Sequence, residues 1–117
     1  MNKQDILTEI IANKRFEIDF QKQSVSLEQL QNSLTDKSAK RSMKASLQAN
    51  PPGIIAEFKR RSPSKGWINK EAAIQQIIPA YQSAGAAALS ILTDENFFGG
   101  TLNDIRTARP LTELPII

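Results

Sequence analysis

The sequence predicts an α/β fold: a helical extension followed by the order β-α-β-α-β. Residues 54–58 and 86–92 are β-rich or nearly continuous apolar runs, and Leu114-Pro115-Ile116-Ile117 looks like the start of a third. Segments with helical spacing, 70–84 and 101–108, fall between these runs. Strands that alternate with helices specify a parallel sheet, because parallel neighbours need a long crossover that is nearly always right-handed.

The chain has 117 residues, enough for one small domain, and its strand-like ending predicts a truncated polypeptide. A formal net charge of +3, spread along the chain, argues only weakly for an anionic partner. There is no cysteine and no histidine, so acid–base chemistry at neutral pH falls to Glu, Asp, Lys or Tyr. The N-terminus lacks the apolar core of a signal peptide, and no stretch approaches the ~20 apolar residues of a membrane span. The expectation is a soluble cytoplasmic protein without a membrane partner.

Taken in order, residues 5–23 carry Ile6, Leu7, Ile10, Ile11 and Ile18 at helical spacing among mixed charges. That composition suits a helix laid over a core better than one lying on a membrane. Residues 27–34, capped by Ser26, and 42–48 suit two short helices. The basic cluster Lys37, Lys40, Arg41 and Lys44 reads as a solvated helix face. Mixed charge and the absence of neighbouring aromatics argue against nucleic acid. Asn50-Pro51-Pro52-Gly53 closes this extension, giving two expected parts, 1–53 and 54–117.

Residues 54–58 enter from that turn as the first strand. A helix over 70–84 is expected to start at an Asn69 cap, with Glu71 in its first turn and Gly85 just past its end. Pro79 predicts a kink, not a termination. Residues 86–92 form the second strand, covered on both faces. A polar loop over 93–100 carries Phe97 and Phe98. Thr101 then caps a helix to Ala108, with Asp104 completing a capping box, and Pro110 ends it. Both a (β/α)8 barrel and an open doubly wound sheet accommodate this order.

In either architecture ligands bind at the carboxyl ends of the strands. Strand alternation sends Ile55, Glu57 and Lys59 one way and Ala56, Phe58 and Arg60 the other. Two charges on one face of a strand require an explanation, since an unpaired buried charge is costly. At ~4 Å and an effective dielectric near 20, a Glu57–Lys59 pair would gain roughly 4 kcal/mol before desolvation. A mutually satisfied ion pair at the rim and a ligand site both account for it. The loop that follows, Ser62-Pro63-Ser64-Lys65-Gly66, adds hydroxyls and a tight turn among Lys59, Arg60, Arg61 and Lys65, and suits an anionic small molecule. It has neither the spacing of a P-loop nor a dinucleotide fingerprint.

Ile-Ile-Ala-Glu-Phe-Lys-Arg-Arg-Ser-Pro-Ser-Lys-Gly, residues 54–66, resembles the first-strand signature of indole-3-glycerol phosphate synthases. Leu-Ser-Ile-Leu-Thr-Asp-Glu-Asn-Phe-Phe-Gly-Gly, residues 89–100, resembles that family's second strand and loop, and the helical extension and terminal Leu-Pro-Ile-Ile are similar to it as well. The resemblance implies the opening units of a (β/α)8 TIM barrel, truncated after its third strand begins. It also implies a decarboxylating ring closure of 1-(2-carboxyphenylamino)-1-deoxyribulose 5-phosphate in tryptophan biosynthesis.

The resemblance makes Glu57 the partner that orients the catalytic centre, and Lys59 the lysine that contacts the anionic substrate and assists proton transfer. Ser62 and Pro63 would line the substrate loop, and Phe98 would wall the anthranilate ring, with Phe97 beside it. No metal or organic cofactor is implied. The family's main general-acid lysine, in the third strand's Lys-Asp-Phe segment, and its later glutamate and phosphate-binding glycines would fall beyond Ile117. The segment alone is therefore expected to be inactive and to self-associate, or to pair with a complementary fragment, through its open strand edge.

Overall fold

The computed structural model describes residues 5–35 and 40–117 and divides into two compact units, one ending at Ala39 and one beginning at Lys40. Lys37 of the expected basic cluster lies outside the described residues. Among the described residues no helix is long and apolar enough to cross a membrane.

The first unit holds α1 (Ile6–Ser24) and α2 (Leu27–Ser33). The second starts at its expected Ser26 cap, and the first is capped by Asp5. Asp5 Oδ1 accepts from the Leu7 N–H at 3.4 Å, and Ser26 forms a reciprocal capping box with Gln29. No residue of either helix is buried.

In the second unit α3 (Met43–Ala49) is capped by Ser42, whose Oγ accepts from the Ala45 N–H at 3.0 Å. Strand β1 (Ile55–Phe58) is followed by a hairpin of β2 (Arg61–Ser62) and β3 (Gly66–Trp67), then by α4 (Ile74–Ser83) and β4 (Ala88–Ile91). The helices α5 (Glu95–Phe98) and α6 (Leu102–Ala108) come next, and a 3-10 turn (Arg109–Leu111) containing Pro110 ends the helical run.

Strands β1 and β4 pair in parallel, with Glu57 opposite Ser90 and Phe58 opposite Ile91. Ile116 bridges Leu89 in parallel on the far side of β4, held by Leu89 N–H to the Pro115 carbonyl and Ile117 N–H to the Leu89 carbonyl, both at 2.9 Å. The expected β-α-β-α-β order therefore builds a partial parallel sheet with β4 in the middle. Among the described residues no strand pairs with the outer edge of β1.

One face of this sheet carries the core. Phe58, Leu89 and Ile91 pack against Ile74 and Ile78 of α4 and Ala108 of α6, with Ala56 and Ile116 alongside. Ile55 and Glu57 point to the other, exposed face. Such alternation follows from the pleat: one residue of slip would put Glu57 in the core and Phe58 outside.

Two local expectations are corrected. Helix α4 starts at Ile74, four residues later than the sequence predicts, because Asn69 caps a turn instead of a helix. Its Oδ1 accepts from the Glu71 N–H at 3.1 Å and its carbonyl from the Ala72 N–H at 3.3 Å. The Ala72 carbonyl, which a longer helix would need, accepts from Arg60 Nε at 3.0 Å. The helix then continues through Pro79.

Its actual N-cap, Ala73, offers no side-chain acceptor. Ala73→Ser is therefore expected to raise stability by about 0.5–1 kcal/mol, read as a higher denaturation midpoint at unchanged m-value. The second correction concerns the predicted loops. Residues 61–67 form a hairpin, and 95–98 form one helical turn capped by Asp94 Oδ2, which accepts from the Phe97 N–H at 2.8 Å.

Candidate active site

The carboxyl end of β1 presents its charged residues on the face away from the core. Lys59 Nζ lies 3.0 Å from Glu57 Oε1. Ser90 Oγ donates to Glu57 Oε2 at 3.4 Å, which follows from the parallel register that sets Ser90 opposite Glu57. Each carboxylate oxygen thus has its own partner, and the backbone is held as well, since the Tyr81 hydroxyl donates to the Glu57 carbonyl at 2.9 Å. The side chains of Lys59 and Glu57 are 35% and 45% exposed. At that exposure the pair contributes about 0–1 kcal/mol to stability, far below its Coulomb gain before desolvation, so its effect is to orient.

Ser90 is the participant that sequence reasoning missed. Its signal was present: it is the single polar residue in the apolar run 86–92, and its hydroxyl is satisfied by a carboxylate from the neighbouring strand. Parallel pairing in register was required to connect the two.

Ser62 and Pro63 sit on the hairpin that continues from β1. Ser62 is buried, and its Oγ accepts from the Lys65 N–H at 3.1 Å while lying 3.5 Å from Ser64 Oγ. The hydroxyl closes its own turn. Gly66 follows at φ +65°, the left-handed conformation that lets a three-residue loop rejoin the ladder. Pro63 is exposed at the tip.

Phe98 ends α5 and is half-buried, and α5 packs against β2, so the helix carrying Phe98 meets the strand carrying Ser62. Glu57, Lys59 and Ser90 form one cluster; Ser62 and Pro63 follow it in the chain on the hairpin, and Phe98 lies on α5, which packs on β2.

The loop's positive charges divide. Lys65 is exposed on the hairpin, whereas Arg61 Nη1 donates to the Asn96 carbonyl at 2.7 Å and its guanidinium lies 5.6 Å from the centroid of Trp67. Arg60, expected among the charges around the loop, turns to the opposite side and pairs with Asp104 at 2.6 Å. Hydrogen bonding to Asp104 raises the Arg60 pKa above its ordinary value, and burial works against that rise.

Known proteins share this sequence closely. The family model for indole-3-glycerol phosphate synthase matches residues 7–117. A curated relative of that name from Bacteroides thetaiotaomicron is 66% identical over 113 residues, covering 97% of this chain and 44% of the relative. The relative of the same name from Neisseria meningitidis serogroup B is 38% identical over 117 residues, covering 97% and 45%. That from Syntrophobacter fumaroxidans is 37% identical over 118 residues, covering 97% and 44%. The chain spans less than half the length of these relatives.

Proposed function

The chain belongs to the indole-3-glycerol phosphate synthase family, and from that membership we propose that it supplies one wall of the active site of such a synthase. In this reading residues 54–117 are the opening β-α-β-α-β units of a (β/α)8 barrel and 1–53 are the helical extension. The activity is that of a carbon–carbon lyase and belongs to a polypeptide of the relatives' length. Its substrate is the small phosphorylated anion 1-(2-carboxyphenylamino)-1-deoxyribulose 5-phosphate.

The observation that carries the reading is the Glu57–Lys59 pair at 3.0 Å at the carboxyl end of a parallel strand, with Ser90 on the second carboxylate oxygen. Ring closure forms a bond from the carboxylate-bearing ring carbon to the substrate's carbonyl carbon. The carbonyl oxygen then needs a proton, carbon dioxide leaves from the ring, and the new hydroxyl departs as water while the methylene beside the nitrogen loses a proton to form the ring's double bond. The Lys59 ammonium supplies a counter-charge to the anionic substrate and assists that proton transfer. Glu57, held by Ser90, keeps that ammonium in one direction. Ser62 and Pro63 shape the substrate loop, and Phe98 offers an apolar surface to the anthranilate ring.

The test is turnover by the polypeptide as its gene encodes it, followed as indole absorbance together with carbon dioxide release. Indole-glycerol phosphate formation that requires Lys59 supports the reading, and full turnover by a Glu57→Ala, Lys59→Ala double variant overturns it. Ser62→Ala is expected to raise KM by roughly fivefold to tenfold, the worth of one hydrogen bond, with kcat little changed. An unaltered KM would remove Ser62 from substrate binding.

A further inference from the structure

Arg60 follows Lys59 directly, yet its side chain leaves the strand on the opposite face and joins three separate segments. Nη1 and Nη2 donate to Asp104 Oδ2 and Oδ1 at 2.6 and 3.0 Å, a bidentate fork. Nε donates to the Ala72 carbonyl at 3.0 Å, just before α4, and Nη1 also reaches the Gly99 carbonyl at 3.3 Å. The guanidinium lies 4.9 Å from the centroid of the Phe58 ring. Asp104 is itself committed, because its Oδ2 accepts from the Thr101 N–H at 3.1 Å and so caps α6.

The backbone of Arg60 is equally engaged. Its carbonyl accepts from the N–H groups of Ile68 and Asn69 at 2.8 and 3.1 Å, where the chain leaves the hairpin. Both ends of the hairpin therefore converge on one residue. Trp67, at the end of β3, rests on Gly99, where an added Cβ would lie 2.8 Å from the indole ring. The hairpin is thus docked on the β4–α6 connection by Trp67 and by the Arg61–Asn96 bond, and pinned at its root by Arg60.

We infer that Arg60 and Asp104 are a positioning pair, a latch that fixes the hairpin 61–67 and the end of β1, so that Lys59 is held in place on the opposite face and Ser62 on the hairpin. The inference rests on the reading of Glu57, Lys59 and the hairpin as the active-site wall. Two features separate a latch from an ordinary surface pair. The side chains are only 17% and 11% exposed, so solvent screens the charges little, and the bonds span segments 12 to 44 residues apart in sequence. Rotation of the Arg60 backbone that would redirect Lys59 has to break the fork on Asp104 first.

The experiment is amide hydrogen exchange on the polypeptide as its gene encodes it, comparing wild type with Asp104→Asn and with Arg60→Lys, which keeps the charge but loses the fork. The expected result is that the Ile68 and Asn69 amides lose about tenfold or more protection relative to the Leu89 and Ile117 amides of the sheet. An equal loss at both sets, as a uniform drop in stability would produce, overturns the latch, as does unchanged exchange at Ile68 and Asn69. Should Asp104→Asn not fold, Arg60→Lys carries the same comparison. This readout is independent of activity. Uniform loss of protection overturns the latch even where turnover depends on Lys59, and Lys59→Ala with full turnover overturns the site reading even where hairpin exchange is selective.

Discussion

Lys59→Ala, made in the polypeptide as its gene encodes it, is expected to lower kcat by about 10²–10⁴-fold, the range that a positioned acid contributes. The expectation follows from geometry. The ammonium lies 3.0 Å from Glu57 at a strand's carboxyl end, which aims it where ligands bind in a parallel α/β sheet. Lys59→Arg separates two roles, since arginine keeps the charge and the ion pair but gives up a proton far less readily. It is expected to hold KM within about threefold while kcat stays at least about tenfold down. Steady-state kinetics check both variants. Near-normal turnover in Lys59→Ala ends the catalytic assignment, and wild-type kcat in Lys59→Arg ends the proton-transfer part while leaving a binding role.

Gly100→Ala is expected to destabilise the second unit by about 3–4 kcal/mol, at the upper end of what overpacking produces. An alanine Cβ at Gly100 would lie 1.9 Å from the Leu92 carbonyl oxygen, 2.7 Å from its carbon and 3.0 Å from Thr93 Cα. All three are backbone atoms at the exit of β4, so no side chain can swing aside. The Gly100 N–H is also fixed, donating to the Asp94 carbonyl at 2.9 Å.

Gly66 supplies the control: a Cβ added there would meet nothing within 4 Å, but its φ is +65°. Gly66→Ala should therefore cost about 1–2 kcal/mol, from conformation alone. Denaturant titrations of both variants measure the difference. A Gly100→Ala loss no greater than that of Gly66→Ala would show that the β4 exit yields more easily than its packing implies.

The charges of residues 57–61 divide more sharply in the fold than in the sequence. Strand alternation alone assigns Glu57 and Lys59 to one face and Arg60 to the other, and that is the arrangement observed. The same alternation says nothing about what each charge meets. Counted by composition, Arg60 belongs with Lys59, Arg61 and Lys65 around an anion; placed in the fold, it is neutralised by Asp104 and withdrawn from that surface. An excess of positive charge near a site is thus a poor measure of the field there until buried pairs are subtracted.

Element order, the parallel sheet, the caps at Ser26 and Thr101, and the shared face of Glu57 and Lys59 were all legible in the chain before any fold was known. These features depend on interactions spanning only a few residues, such as a side chain closing the first turn of its own helix or a pleat that alternates by one, and such patterns are written in adjacent letters. Three others needed the assembled molecule: Ser90 completes the Glu57 carboxylate, Arg60 finds Asp104 across 44 residues, and the Ala72 carbonyl, left before the start of α4, is taken by Arg60. Each of those is a choice of partner between distant segments, and it is fixed by sheet register and by which face each helix packs, neither of which any local window contains.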